Sequence, residues 1–121
     1  MREFKIPGKA QAKQRPRMGR SGIVYTPKET LVYENYVKMC YSDYAKQFGW
    51  LPYENQVRAE IEVLVAVPKS DSKTKKKAKI EGMIRPAVKP DCDNLAKSIL
   101  DSLNGLAYQD DKQVVELSIK K

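Results

Sequence analysis

The sequence of 121 residues contains no histidine. Without imidazole, Ser–His and Cys–His nucleophile pairs are excluded, and so is any zinc site with a histidine ligand. Cysteine is scarce. Cys40 and Cys92 stand alone, neither with a CxxC neighbour, and read as two small buried apolar side chains. No apolar run approaches the roughly 18 residues that a membrane span needs, and Met1-Arg2-Glu3-Phe4 begins no signal-peptide core. A soluble protein without a membrane partner is expected, cytoplasmic and nucleoid-associated if its ligand is DNA. Whatever chemistry it performs must rest on carboxylates, lysine, tyrosine or a metal ion.

Acidic residues are outnumbered, 15 against 23 lysines and arginines, for a net charge of +8. The excess is uneven. Lys9, Lys13, Arg15, Arg17 and Arg20 follow one another with no intervening acid, and residues 69–89 carry eight basic residues against Asp71 and Glu81. Charge concentrated in this way favours a polyanionic partner, since a merely solubilising charge would be spread out.

At this length one domain, residues 1–121, is expected, with a single core. Phe4 and Ile6 alternate with polar neighbours as a short strand closed by Pro7-Gly8. Thr26-Pro27-Lys28-Glu29 reads as an N-cap, first-turn proline and capping-box glutamate. Tyr33, Val37, Cys40, Tyr44 and Phe48 then predict a helix from about Pro27 to Phe48 with its tyrosines on the core face. Val57 to Val67 alternates as the clearest strand, ended by Pro68. Ser70 to Glu81 can form a lysine-rich helix stopped by Gly82 or stay disordered, and Arg85 to Asp91 reads as extended between its prolines. A helix capped by Asp93 or Asn94 carries the apolar stripe Leu95, Ala96, Ile99, Leu100 and Leu103, ends at Asn104-Gly105, and precedes a last strand through Val115, Leu117 and Ile119. The expected class is a small mixed α/β domain of α+β type with a mixed sheet, in the order β-α-β-(α)-β-α-β.

The chemistry collects in Lys89-Pro90-Asp91-Cys92-Asp93-Asn94-Leu95-Ala96-Lys97 and in Asp110-Asp111. If the chain is extended there, Asp91 and Asp93 leave the backbone on one side and Cys92 on the other. Lys97 follows Asp93 by four and Asp101 follows Lys97 by four, so the three share the polar face of the helix. Asp111 is in phase with Val115, Leu117 and Ile119 and is favoured over Asp110. Carboxylates from two chain segments suit Mg²⁺, which prefers oxygen ligands and retains waters. The same residues also serve as helix cap and turn, and spacing alone leaves both readings open.

The run from Lys89 to Lys97, the following Ile99-Leu100-Asp101-Ser102-Leu103-Asn104-Gly105 and Asp110-Asp111-Lys112-Gln113-Val114 resemble the signature of RusA-type Holliday junction resolvases. Ile6-Pro7-Gly8 with Lys13-Gln14-Arg15-Pro16-Arg17 resembles that family's N-terminal loop, so the likeness covers most of the chain. It implies a homodimeric, Mg²⁺-dependent endonuclease (Mn²⁺ a possible substitute) that cuts four-way DNA junctions by symmetric paired nicks in recombination and repair. By the same resemblance Asp91, Asp93 and Asp111 bind metal and Lys97 is needed for cleavage, whereas Asp101 and the lysine-rich stretch receive no role. Lys13, Gln14, Arg15, Arg17 and Lys89 are expected to hold the DNA backbone. Two competing readings are a metal-dependent nuclease acting on flaps or other branched DNA, and a non-catalytic basic nucleic-acid-binding module.

Overall fold

A computed structural model describes residues 1–87 and 90–121. Two minimal strands, β1 (Arg17–Met18) and β2 (Val24–Tyr25), form an antiparallel hairpin. Helix α1 (Lys28–Phe48) is followed by β3 (Val57–Glu62), α2 (Lys73–Ile80) and α3 (Cys92–Leu103). A 3₁₀ turn (Asp111–Gln113) then leads into β4 (Val114–Lys120), which lies parallel to β3. The expected α+β class stands.

The order of elements departs from the expected one at the first and third predicted strands. Phe4 and Ile6 form no strand, because no neighbouring chain offers them a ladder. They serve instead as apolar plugs against the core, with Phe4 edge-on to Tyr41 at 5.2 Å between ring centroids. Among the described residues of the segment 85–91 there is likewise no strand. Among the described residues the strands form two separate pairs.

Helix α1 begins one residue later than its capping motif suggests. Pro27 is extended and occupies the N-cap, and its carbonyl accepts from the amides of Thr30 and Leu31 at 3.1 and 3.2 Å. Thr30 is buried within the first turn, and its hydroxyl accepts a hydrogen bond from the Gln14 amide at 3.2 Å. Gly49, in the left-handed region at φ 67°, ends the helix. The buried stripe is Tyr33, Val37 and Tyr41, spaced by four, so it drifts around the helix away from Phe48, which is exposed. The tyrosines do face the core, as the spacing implied.

Strand β3 alternates as predicted, with Val57, Ala59 and Ile61 turned inward and Arg58, Glu60 and Glu62 outward. It is shorter than the apolar alternation, because its pairing ends with Glu62 opposite Lys120 and one further bond from the Val63 amide to the Lys120 carbonyl. Opposite charges meet across the ladder at Arg58–Glu116 and Glu62–Lys120.

The core joins Tyr33, Val37 and Tyr41 of α1 to Ile99 and Leu103 of α3 and to Ala107 and Tyr108 beyond it. α3 buries Leu95, Ala96, Ser98, Ile99, Ser102 and Leu103. Two of these are serines where the prediction had Leu100. Ser102 is tolerated inside because its hydroxyl donates to the Ser98 carbonyl at 2.6 Å within the helix. No helix among the described residues is long and apolar enough to cross a membrane.

Candidate active site

An open pocket of about 500 Å³ lies between the polar face of α3 and the face of β4 that carries Leu117 and Ile119. Asp93, Lys97 and Asp101 line it at successive turns of α3, as four-residue spacing requires, and Asp111 closes it from the other side. Cys92, Ala96 and Leu100 complete the α3 wall.

Asp91 is not among the lining residues, and the reason is local. α3 starts at Cys92, with Asp91 as its N-cap, so Asp93 already has helical geometry. Two residues in a helix are separated by about 200° around the axis, so the shared side expected for Asp91 and Asp93 in an extended chain is lost. For the same reason Cys92 is turned to the pocket wall and only half-buried, where an extended chain would have sent it into the core. The cap is Asp91 in place of the expected Asp93 or Asn94. Its carboxylate makes no capping hydrogen bond.

Asp110 and Asp111 have different tasks. The Asp110 carboxylate accepts from the Lys112 amide at 3.1 Å and caps the 3₁₀ turn. The Gln113 side chain completes the cap, accepting from the amides of Gln109 (2.8 Å) and Asp110 (3.0 Å) and donating to the carbonyls of Tyr53 and Asn55, both at 2.8 Å. Gln113 therefore fixes the turn to the segment before β3. The spacing Asp110-x-x-Gln113 is a legible capping box that the sequence reading passed over. Asp111 lines the pocket from this turn and not from a strand.

Negative charge accumulates there. The hydrogen bond to Asp110 holds the Asp111 carboxyl above its usual 3.8, reinforced by desolvation and by the charges of Asp110 and Asp101. Asp110 shifts the opposite way, because the Lys112 amide stabilises its charged form. Burial, with added repulsion from Asp111 and Asp101, pushes the Tyr108 phenol far up. It stays neutral and donates to the Leu100 carbonyl at 2.5 Å.

Carboxylates beside a lysine, one of them held above its usual titration by neighbouring anions, fit a hard divalent cation in chemistry and in electrostatics. Among the described residues, no three acidic or thiol side chains already converge at chelating distance.

The basic loop is docked onto this site. The Lys13 amide donates to the Asn94 carbonyl in the first turn of α3 at 3.2 Å, while the Gln14 amide is held by Thr30 of α1. The Lys13 ammonium lies 2.5 Å from Asp101 and 3.4 Å from Glu34 of α1. No sequence signal points to this pairing, since Lys13 and Asp101 are 88 positions apart. Gln14, Arg15 and Arg17 are exposed beyond it. Lys89 lies outside the described residues.

Comparison with known proteins gives two matches. Residues 7–121 match the family model described as endodeoxyribonuclease RusA. The chain is also 35% identical, over 98% of its own length and 85% of the relative's, to the uncharacterized protein YqaN of Bacillus subtilis (strain 168).

Proposed function

Since the chain belongs to the RusA endodeoxyribonuclease family, we propose that it is a Mg²⁺-dependent endonuclease that resolves four-way DNA junctions by paired symmetric nicks, acting as a homodimer in recombination and repair. The observation that carries this reading is a single pocket lined by Asp93, Lys97 and Asp111, bordered by a basic loop bonded to the same helix. Asp91, Asp93 and Asp111 would hold the metal, with Mn²⁺ as a substitute. When bound, the cation supplies charge neutralisation at the phosphate and lowers the pKa of a water.

The chain's own groups do the rest. Lys97 stands one turn from Asp93, on the wall the phosphate would approach, and can stabilise the charge that builds on the phosphoryl oxygens or protonate the departing oxygen. Arg15 and Arg17, exposed on the docked loop, hold the flanking backbone without reading bases. Asp110 and Gln113 keep Asp111 in place. A two-fold dimer presents two such pockets, matching the two-fold symmetry of the substrate.

The test is incubation of the purified protein with a labelled synthetic four-way junction, with and without Mg²⁺. Paired nicks at symmetry-related phosphates, only with metal, are expected. Single nicks on flaps but not on junctions would transfer the reading to a branched-DNA nuclease. Binding without metal-dependent cutting would reduce it to a binding module.

A further inference from the structure

Lys97 is surrounded by the wrong kind of neighbours for a residue that must act on a phosphate. On α3 it has Asp93 one turn before it and Asp101 one turn after, the spacing at which helix lysines pair with carboxylates. Yet among the described residues it forms no ion pair, and Asp101 is bound elsewhere. The Asp101 carboxylate is 2.5 Å from the Lys13 ammonium, which also meets Glu34 at 3.4 Å. This cluster is built into the fold. The Lys13 and Asp101 side chains are about one quarter exposed, at 24% and 25%, and Glu34 less, at 14%. Glu34 Oε1 is buried with no hydrogen-bond partner. On either side of the Lys13 side chain the backbone is fastened, to Asn94 of α3 and to Thr30 of α1. One ammonium therefore serves two acids, and withdrawing it to a DNA phosphate would strand both.

We propose that Lys13 is a positioning residue for cleavage: it sequesters Asp101 and so leaves the Lys97 ammonium free to meet the phosphate under attack. This assignment rests on the nuclease reading above and replaces the expectation that Lys13 contacts DNA. Remove the Lys13 charge and Asp101 is released beside Lys97, which is then flanked by two free carboxylates and held away from substrate.

The test is a set of Lys13 and Asp101 variants assayed by single-turnover cleavage of a four-way junction at saturating enzyme. Junction affinity, thermal melting and the Lys97 side-chain ammonium signal in ¹H–¹⁵N NMR of the metal-free protein are measured alongside. K13Q should lose on the order of tenfold or more in cleavage rate, as expected when a transition-state contact is compromised but not deleted. Its junction affinity should stay close to wild type, and its Lys97 signal should shift. K13Q/D101N should regain most of the rate and return the Lys97 signal, whereas K13Q/E34Q should not. K13R, which keeps the charge, should retain the rate and supplies the test if K13Q does not fold. A K13R protein that melts normally and cuts at a tenth of the wild-type rate or less overturns the proposal. So does K13Q with an unchanged saturated rate but lower affinity and a shallower salt dependence, the mark of a lost phosphate contact. A stable K13Q/D101N that remains as slow as K13Q does the same. If wild-type protein never cuts, the nuclease reading fails by itself, and the Lys97 signal still decides whether Lys13 controls the Asp101–Lys97 contact.

Discussion

Helices α2 and α3 both carry lysines on exposed faces, but only one of them can aim a lysine. α3 has six buried residues under its polar face, from Leu95 to Leu103, so Asp93, Lys97 and Asp101 have fixed bearings on β4 and Asp111. α2 carries five lysines in eight residues and buries nothing. Its side chains are steadied by the Ser72 cap, whose hydroxyl accepts from the Lys75 amide, and by the ion pair between Lys79 and Asp71. An eight-residue helix without packing is marginal in water. A charge that must meet a particular atom needs apolar burial behind it, whereas a charge that only raises the local cation density does not.

The largest expected effect lies in the acids anchored by α3 and the Asp111 turn. Asp93→Asn and Asp111→Asn should each reduce junction cleavage by at least about a hundredfold, with binding intact or tighter because a repulsive charge is gone. Asp91→Asn is the sharper case, since the N-cap position takes its carboxylate off the pocket wall. Loss of cleavage in Asp91→Asn would mean that Asp91 turns in when metal binds, and a near-normal rate would remove it from the ligand set. Lys97→Ala comes next, with a rate loss on the order of a hundredfold and little change in melting, because the residue is exposed. Lys76→Ala on α2 should leave the saturated rate unchanged. Comparable rate losses from the two lysines would erase the contrast between the helices.

Stability should divide the same way. Leu95 is 1% exposed, so Leu95→Ala should cost about 2–5 kcal/mol in denaturant unfolding. Ile80 of α2 is 77% exposed, and Ile80→Ala should stay within about 0.5 kcal/mol. An Ile80→Ala cost near that of Leu95→Ala would mean that α2 packs against something in solution.

The same contrast explains what could be read from the chain alone. α1, β3, α3 and β4 were legible because hydrophobic period and punctuation agree, as in Val57 to Glu62; α2 has no hydrophobic period, and its punctuation located its end at Gly82 but placed its start at Ser70, where the cap is Ser72. Phe4 and Ile6 misled because alternation reports burial on one side and not the presence of a ladder partner. Asp93, Lys97 and Asp101 were legible as one face of a helix. The separation of Asp91 from Asp93 was not, because it depends on whether the helix starts at residue 92 or 94 and local propensity does not fix that boundary. Lys13 read as one more member of a basic loop. Its bonds to Asn94, Asp101 and Glu34 are tertiary and leave no trace in spacing.

The smallest effect concerns acid and α2 alone. The Lys79 ammonium bonded to it, chiefly, holds the Asp71 carboxyl below its usual 3.8, helped by the charges of Lys79, Lys75 and Lys76 and opposed by desolvation. A carboxyl with a lowered folded pKa stabilises its segment above the unfolded value, and that contribution is lost as pH falls through the folded value. Acidification from about pH 5 through the folded value, which lies below 3.8, should therefore release Lys79 and leave five uncompensated lysines to repel one another along the helix. α3 has no such dependence on Asp71, and its buried face should hold. The measurement is amide hydrogen exchange, corrected for intrinsic rates, over a series of pH values from about 5 downward through the Asp71 transition. Protection in residues 73–80 should drop at the lower pH while that in 95–103 changes little. Asp71→Asn should give the low-pH pattern in α2 already at pH 5 and be insensitive thereafter. Equal loss of protection in both helices would mean that acid acts on the whole fold, and α2 would then owe its order to contacts beyond its cap and one ion pair.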